Sequence, residues 1–192
     1  MRMQRIRTIG LLICGLLPSV AAHALDIEQV ESHYQDKQYQ LTLTAVLDAP
    51  IERVQAVLRD YRHYPQLDAR ILEAQTIASD APHEVLLATK LRVCFGVFCK
   101  TVKRVERVQE LHNELVATVV PEQSEVTSGV TRTQLASLAE PGARTRVTYS
   151  IHIAPGFWIP AFVGRPLMLR TLRETSIELF RKVEQQAQSK AV

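Results

Sequence analysis

From Leu167 onward, apolar residues recur at Leu169, Leu172, Leu179, Phe180 and Val183, while Arg170, Arg173, Glu174, Arg181 and Lys182 fall between them. Spacing by three and four puts one apolar stripe on an α-helix and leaves the charges on its wet side. This helix fills most of a C-terminal stretch, 156–188, that opens Gly156-Phe157-Trp158-Ile159-Pro160-Ala161-Phe162. A single helix cannot bury such a stripe alone. Upstream, the chain offers strand-like runs in quantity, so the pattern predicts a helix laid across a curved sheet, an arrangement that encloses a pocket.

Leu41, Leu43, Ala45 and Leu47 alternate within 40–47, as in a half-buried strand, whereas 25–37 is mixed and predicts no element. Asp48-Ala49-Pro50 then marks a helix start, since Pro50 lacks the amide hydrogen that goes unpaired there. That helix turns Ile51, Val54, Val57 and Leu58 inward and stops near Asp60; Tyr61 to Asp68, broken by Pro65, predicts a second short helix or turn. Six further strands follow at 71–77, 84–93, 98–108, 115–120, 126–138 and 145–153, separated by turn formers such as Asp80-Ala81-Pro82 and Pro141-Gly142. Short links imply an antiparallel meander. In the last strand Val147, Tyr149, Ile151 and Ile153 share one face and Arg146, Thr148, Ser150 and His152 the other, so the sheet is covered on one side only. The expected class is α+β, with seven strands, two short helices after the first strand, and a long final helix. The polar tail from Gln185 is expected to fray.

With 192 residues, 46% of them hydrophobic, the chain suits one domain with a full core. The first 24 residues stand apart from it. Arg2, Arg5 and Arg7 precede an apolar run from Ile9 to Val20, and Ala22-His23-Ala24 puts small residues where a signal peptidase reads. The run is shorter than the ~20 residues a membrane span needs. A cleaved signal peptide over 1–24, a single domain over 25–192 and a periplasmic location are therefore expected. The whole-chain surplus of +3 comes from those three arginines, so the remaining chain has twenty basic and twenty acidic residues. A nucleic-acid partner is not expected without a basic excess to displace counterions.

Cys94 and Cys99, in Cys-Phe-Gly-Val-Phe-Cys, read as a disulfide across a hairpin neck in an oxidising compartment. Unpaired thiols and a redox pair are the alternatives, although four intervening residues are not the two of a thioredoxin-type motif. The histidines after residue 24 are scattered without metal-ligand spacing, so no metal is expected.

Leu47-Asp48-Ala49-Pro50-Ile51-Glu52-Arg53-Val54, Val57-Leu58-Arg59-Asp60-Tyr61 with Tyr64-Pro65, and the order of elements together resemble the helix-grip superfamily. It comprises START lipid-transfer domains, polyketide cyclases and the birch-pollen-allergen group, and the polyketide cyclase/dehydrase and lipid-transport branch is the most similar. The resemblance implies a bent antiparallel sheet around the last helix, with a cavity for a lipid, sterol, quinone or polyketide. It also implies no cofactor. The function so implied is that of a monomeric carrier or binding protein for a hydrophobic small molecule. A cyclase or dehydratase using the same cavity is the alternative, and a domain that fills its cavity with its own side chains is a third.

Candidate ligand contacts follow. Leu91, Tyr149 and Ile151 are placed facing the pocket, where the Tyr149 hydroxyl needs a partner or is simply part of the core. Arg132 and Gln134 share strand parity with Val126, Val130, Ala136 and Leu138 and are the polar candidates; a local bulge or an outward face is the alternative. Tyr61 and Tyr64 line the mouth or pack the short helix. Lys90, Arg92, Lys100, Lys103, Arg104 and Arg107 decorate one hairpin, as an attractor of anionic head groups or as a solvated face. Phe157, Trp158 and Phe162 form a gate, a tip that touches a bilayer transiently, or a plug on the sheet rim. Trp158 is the only tryptophan, so its emission reports on that segment alone. A blue shift on adding liposomes or candidate lipids is expected; no shift with either removes the gate and the membrane tip together.

Overall fold

The computed structural model describes residues 25–77, 81–95, 98–138, 144–157 and 161–189. The chain runs β1 (Asp26–Gln35), β2 (Gln38–Leu47), α1 (Ile51–Leu58), a 3-10 turn, α2 (Tyr64–Leu67), then β3 (Ile71–Ile77), β4 (Glu84–Phe95), β5 (Phe98–Glu110), β6 (Glu114–Val119), β7 (Val126–Leu138), β8 (Arg144–Pro155) and α3 (Ala161–Ser189). The strands form one antiparallel sheet in the order β1-β2-β8-β7-β6-β5-β4-β3. The meander from β3 to β8 is as expected, and β8 then pairs with β2, so the first and last parts of the chain meet in mid-sheet. The expected signal segment, 1–24, lies outside the described residues.

There are eight strands rather than seven. The additional one, β1, is an edge strand with mostly polar side chains. Its half-buried residues include Ile27, Val30 and Tyr34, and a register shift between Ile27 and Gln29 breaks the alternation. Asp36 and Lys37, which join β1 to β2, have φ of 51° and 63°. This is the twist a two-residue hairpin needs, reached without the glycine that normally announces it.

The core lies between the concave face of the sheet and α3. Leu43, Ala45, Leu47, Val147, Phe180, Val183 and Ala187 are wholly enclosed. The end of α3 is fixed by polar contacts. Buried Glu184 accepts a hydrogen bond from the Asp48 amide at 2.7 Å, and the Gln188 amide donates to the Asp48 carbonyl at 3.1 Å. The helix thus stays ordered through Ser189, and 185–189 does not fray as expected, because Ala187 is buried and Gln188 is tied to the β2–α1 turn.

Cys94 and Cys99 stand directly opposite each other on β4 and β5 and form a disulfide, with Cα atoms 4.0 Å apart. Near this hairpin's end, Val102, Val119 and Val126 make a small second core against which Val93, Ile153 and Phe157 pack. The chain enters it through Gly156, where a methyl group would sit 2.4 Å from the Glu125 carbonyl oxygen. Backbone has no rotamer with which to yield. Gly156→Ala is expected to destabilise the protein by about 1–3 kcal/mol, measured by urea denaturation; an unchanged midpoint contradicts this packing.

Candidate functional site

Between the sheet and α3 is a cavity of about 150 Å³. Its origin is legible in side-chain size. At one-turn intervals α3 presents Leu172, Ser176 and Phe180 to the sheet, and the middle one is small. Facing it are Ala117 on β6 and Thr131 and Thr133 on β7, small residues where a full core would place Leu or Phe. Leu58, Leu67, Leu87 and Leu115 supply apolar wall.

Of the residues expected to bind a ligand, Leu91, Tyr64, Tyr149 and Ile151 line this cavity. The Tyr149 ring meets Phe180 edge-on at 5.2 Å between centroids. Burial pushes its hydroxyl up to about 12, with Arg104 acting in the opposite direction, so Tyr149 is a neutral donor at neutral pH. It has no hydrogen-bond partner among the described residues. The Tyr64 hydroxyl donates to the Leu58 carbonyl at 2.7 Å, and burial raises its pKa well above the ordinary phenol value. Tyr61 lies behind the wall, edge-on to Tyr64, and donates to Glu110 at 2.6 Å; burial first, and that bond next, raise its pKa.

Arg132 and Gln134 are not in the cavity. Both reach across the outer face to Glu114, at 2.5 Å and 3.2 Å. The cause is a bulge in β7: its pairing with β8 shifts between Val126 and Ser128. Val126 joins the inner face through Val102 and Val119, but beyond the shift the inward positions are Gly129, Thr131, Thr133 and Leu135. One extra residue inverts a period-two pattern, so parity with Val126 points the wrong way from Ser128 on. Phe157 is half-buried in the second core, with the Lys100 ammonium 5.3 Å from its ring centroid. Trp158 and the Phe162 side chain lie outside the described residues.

Four charged residues that the sequence did not single out as ligand contacts line the cavity: Asp68, Arg70, Arg104 and Glu106. Arg70 grips Asp68 bidentately, at 3.0 Å from Nε to Oδ1 and 2.6 Å from Nη2 to Oδ2, and its amide donates to the same carboxylate at 2.9 Å. Burial pushes the Asp68 carboxyl up, but the Arg70 hydrogen bonds and charge outweigh it and hold it below the usual value. Arg104 pairs with Glu106 at 3.0 Å, both largely buried, and its Nε is enclosed without a partner among the described residues. Desolvation offsets most of the attraction in so buried a pair, so its worth to stability is small. Its place in a cavity wall makes it a candidate for function. The signal was parity: Arg104 and Glu106 alternate in step with Val102 and Val108. Of the other cations of that basic hairpin, three are paired outside, Lys90 with Glu73, Lys100 with Glu125 and Arg107 with Glu84.

The site encloses and donates hydrogen bonds. Its acids are already claimed by arginines, no histidine lines it, and no group of three or more potential ligands is placed to hold a metal among the described residues.

The fold is similar to that of the Zhui aromatase/cyclase from Streptomyces sp. R1128, with a TM-score of 0.65 and 10% identity, covering 81% of this chain and 96% of that one. It is similar to a STAR-related lipid transfer protein from Xanthomonas axonopodis, with a TM-score of 0.63 and 14% identity over 86% and 99%. A START superfamily protein from Mycobacterium smegmatis gives 0.60 and 15% over 78% and 97%. At such identities the likeness shows the fold alone. A search of the curated proteins found no match. The family model described as polyketide cyclase / dehydrase and lipid transport matches residues 38–184, and with a sheet gripping a terminal helix around an internal cavity, the chain belongs to that family.

Proposed function

We propose that the protein is an exported carrier that encloses a hydrophobic small molecule, of lipid, sterol, quinone or polyketide type, between the sheet and α3. The observation that carries this reading is the cavity itself, apolar over most of its wall, at the place where a helix of this length has room for a solid core. A cavity of about 150 Å³ lined by apolar side chains accepts a guest the size of benzene. A longer guest enters as α3 shifts outward at Leu169, Leu172 and Leu179, away from its tied end at Glu184. Export to the periplasm rests on the pattern of 1–24, and loading at a membrane surface through Phe157, Trp158 and Phe162 rests on the sequence of that segment. The protein acts as a monomer.

Cyclase or dehydratase activity is the second reading, favoured by the Tyr149 hydroxyl and the Arg104–Glu106 pair in the cavity wall. It ranks lower because a general acid or base works best with a pKa near the operating pH. Tyr149 is displaced away from that range, and Asp68 lies below it.

Native mass spectrometry of protein taken from its own periplasm is expected to retain a lipid-sized mass. Ala117→Phe puts a ring into the void, and is expected to lower affinity for that guest at least about tenfold, by about 1.4 kcal/mol, with a folded far-UV spectrum retained. No retained mass, together with no binding of any lipophile, overturns the carrier reading.

A further inference from the structure

The proposed guest has a polarity that the cavity wall specifies. Two positive and two negative side chains line it, and each arginine is matched to a carboxylate: Arg70 to Asp68 and Arg104 to Glu106. The wall is therefore electrically balanced before any guest arrives. An entering anion finds no surplus positive charge, and leaving water for such a site costs several kcal/mol without compensation. Hydrogen-bond capacity, by contrast, is out of balance. The Tyr149 hydroxyl has no hydrogen-bond partner among the described residues and belongs to a residue of the wall; the Arg104 Nε also lacks an acceptor but is closed off. Both Asp68 oxygens are taken by Arg70, and Glu106 is paired with Arg104.

Tyr149 and Arg104 come from different parts of the sheet. Tyr149 stands on β8 beside Thr133 of β7, and Arg104 on β5 opposite Thr89 of β4. Curvature brings both strands to one cavity, where the Tyr149 hydroxyl is the open donor and the Arg104–Glu106 pair closes another part of the wall. Around Tyr149 the lining is mainly apolar, broken by Thr131, Thr133 and Ser176, with the Tyr149 ring held edge-on by Phe180. An unpartnered phenol in a charge-balanced, mainly apolar wall is complementary to a neutral oxygen.

We infer that the cavity selects an uncharged lipophile carrying a hydrogen-bond-accepting oxygen, a ketone, quinone or ester carbonyl, which takes its bond from Tyr149, and that it discriminates against fatty-acid-like anions. This rests on the carrier reading and is separable from it.

Three probes of similar size, suited to a void of about 150 Å³, test both: ethylbenzene with no acceptor, acetophenone with a neutral carbonyl, and benzoate with a charge. Binding to the purified protein is followed by chemical-shift titration. Acetophenone is expected to bind roughly five- to tenfold tighter than ethylbenzene, the worth of about one net hydrogen bond, and benzoate at least about tenfold more weakly than acetophenone. Tyr149→Phe is expected to bring the acetophenone-to-ethylbenzene ratio toward one. Equal binding of acetophenone and ethylbenzene by the unmodified protein overturns this inference and leaves the carrier reading standing. Tightest binding by benzoate overturns it in favour of an anion site. No binding of any probe overturns both.

Discussion

Everything in this molecule depends on how α3 is laid against the sheet. One end is fastened: Glu184 and Gln188 bond to both backbone groups of Asp48, while Phe180, Val183 and Ala187 are wholly enclosed below. One turn earlier the contact loosens. Ser176 replaces a large side chain, and Ala117, Thr131 and Thr133 opposite do not fill the gap. Closely packed interiors do not leave such space by chance of rotamer. The void follows from where small residues fall along one helical stripe and three neighbouring strands.

The polar lining obeys the same logic. Ionisable groups facing an apolar cavity are costly unless paired, and here each has a partner that settles its charge. What remains without a hydrogen-bond partner is a neutral phenol, whose ionisation burial has driven up, and the enclosed Nε of the paired Arg104 guanidinium. Such a wall presents a hydrogen-bond donor within a balanced set of charges. The Zhui aromatase/cyclase and the STAR-related lipid transfer protein share this fold, so the fold alone does not fix a function.

Much of this was legible in the sequence. The alternation of Leu41 to Leu47 and of Val147 to Ile153 placed two central strands, and the three- and four-residue spacing placed α3, because deep burial enforces periodicity. Where burial is partial or the period breaks, the reading failed. β1 is polar and bulged; its turn is Asp36-Lys37 rather than a glycine pair. In β7 the bulge before Ser128 turned Arg132 and Gln134 outward. Arg104 and Glu106 were hidden in a hairpin whose other cations are solvated, and only their step with Val102 and Val108 distinguished them. Tyr149 was found because it stands on an unbroken apolar face.

The cross-link between Cys94 and Cys99 closes a loop so short that it adds only about 2 kcal/mol by chain entropy. Its larger effect is on alignment. By joining two opposed residues, it sets which residue of β5 stands across from which residue of β4 along the entire ribbon, Arg104 against Thr89 and Glu106 against Leu87. A slip of a single position would rotate both charges out to water and bring Lys103 and Val105 in. Once formed, the cross-link therefore holds the ribbon in the one frame that turns Arg104 and Glu106 inward.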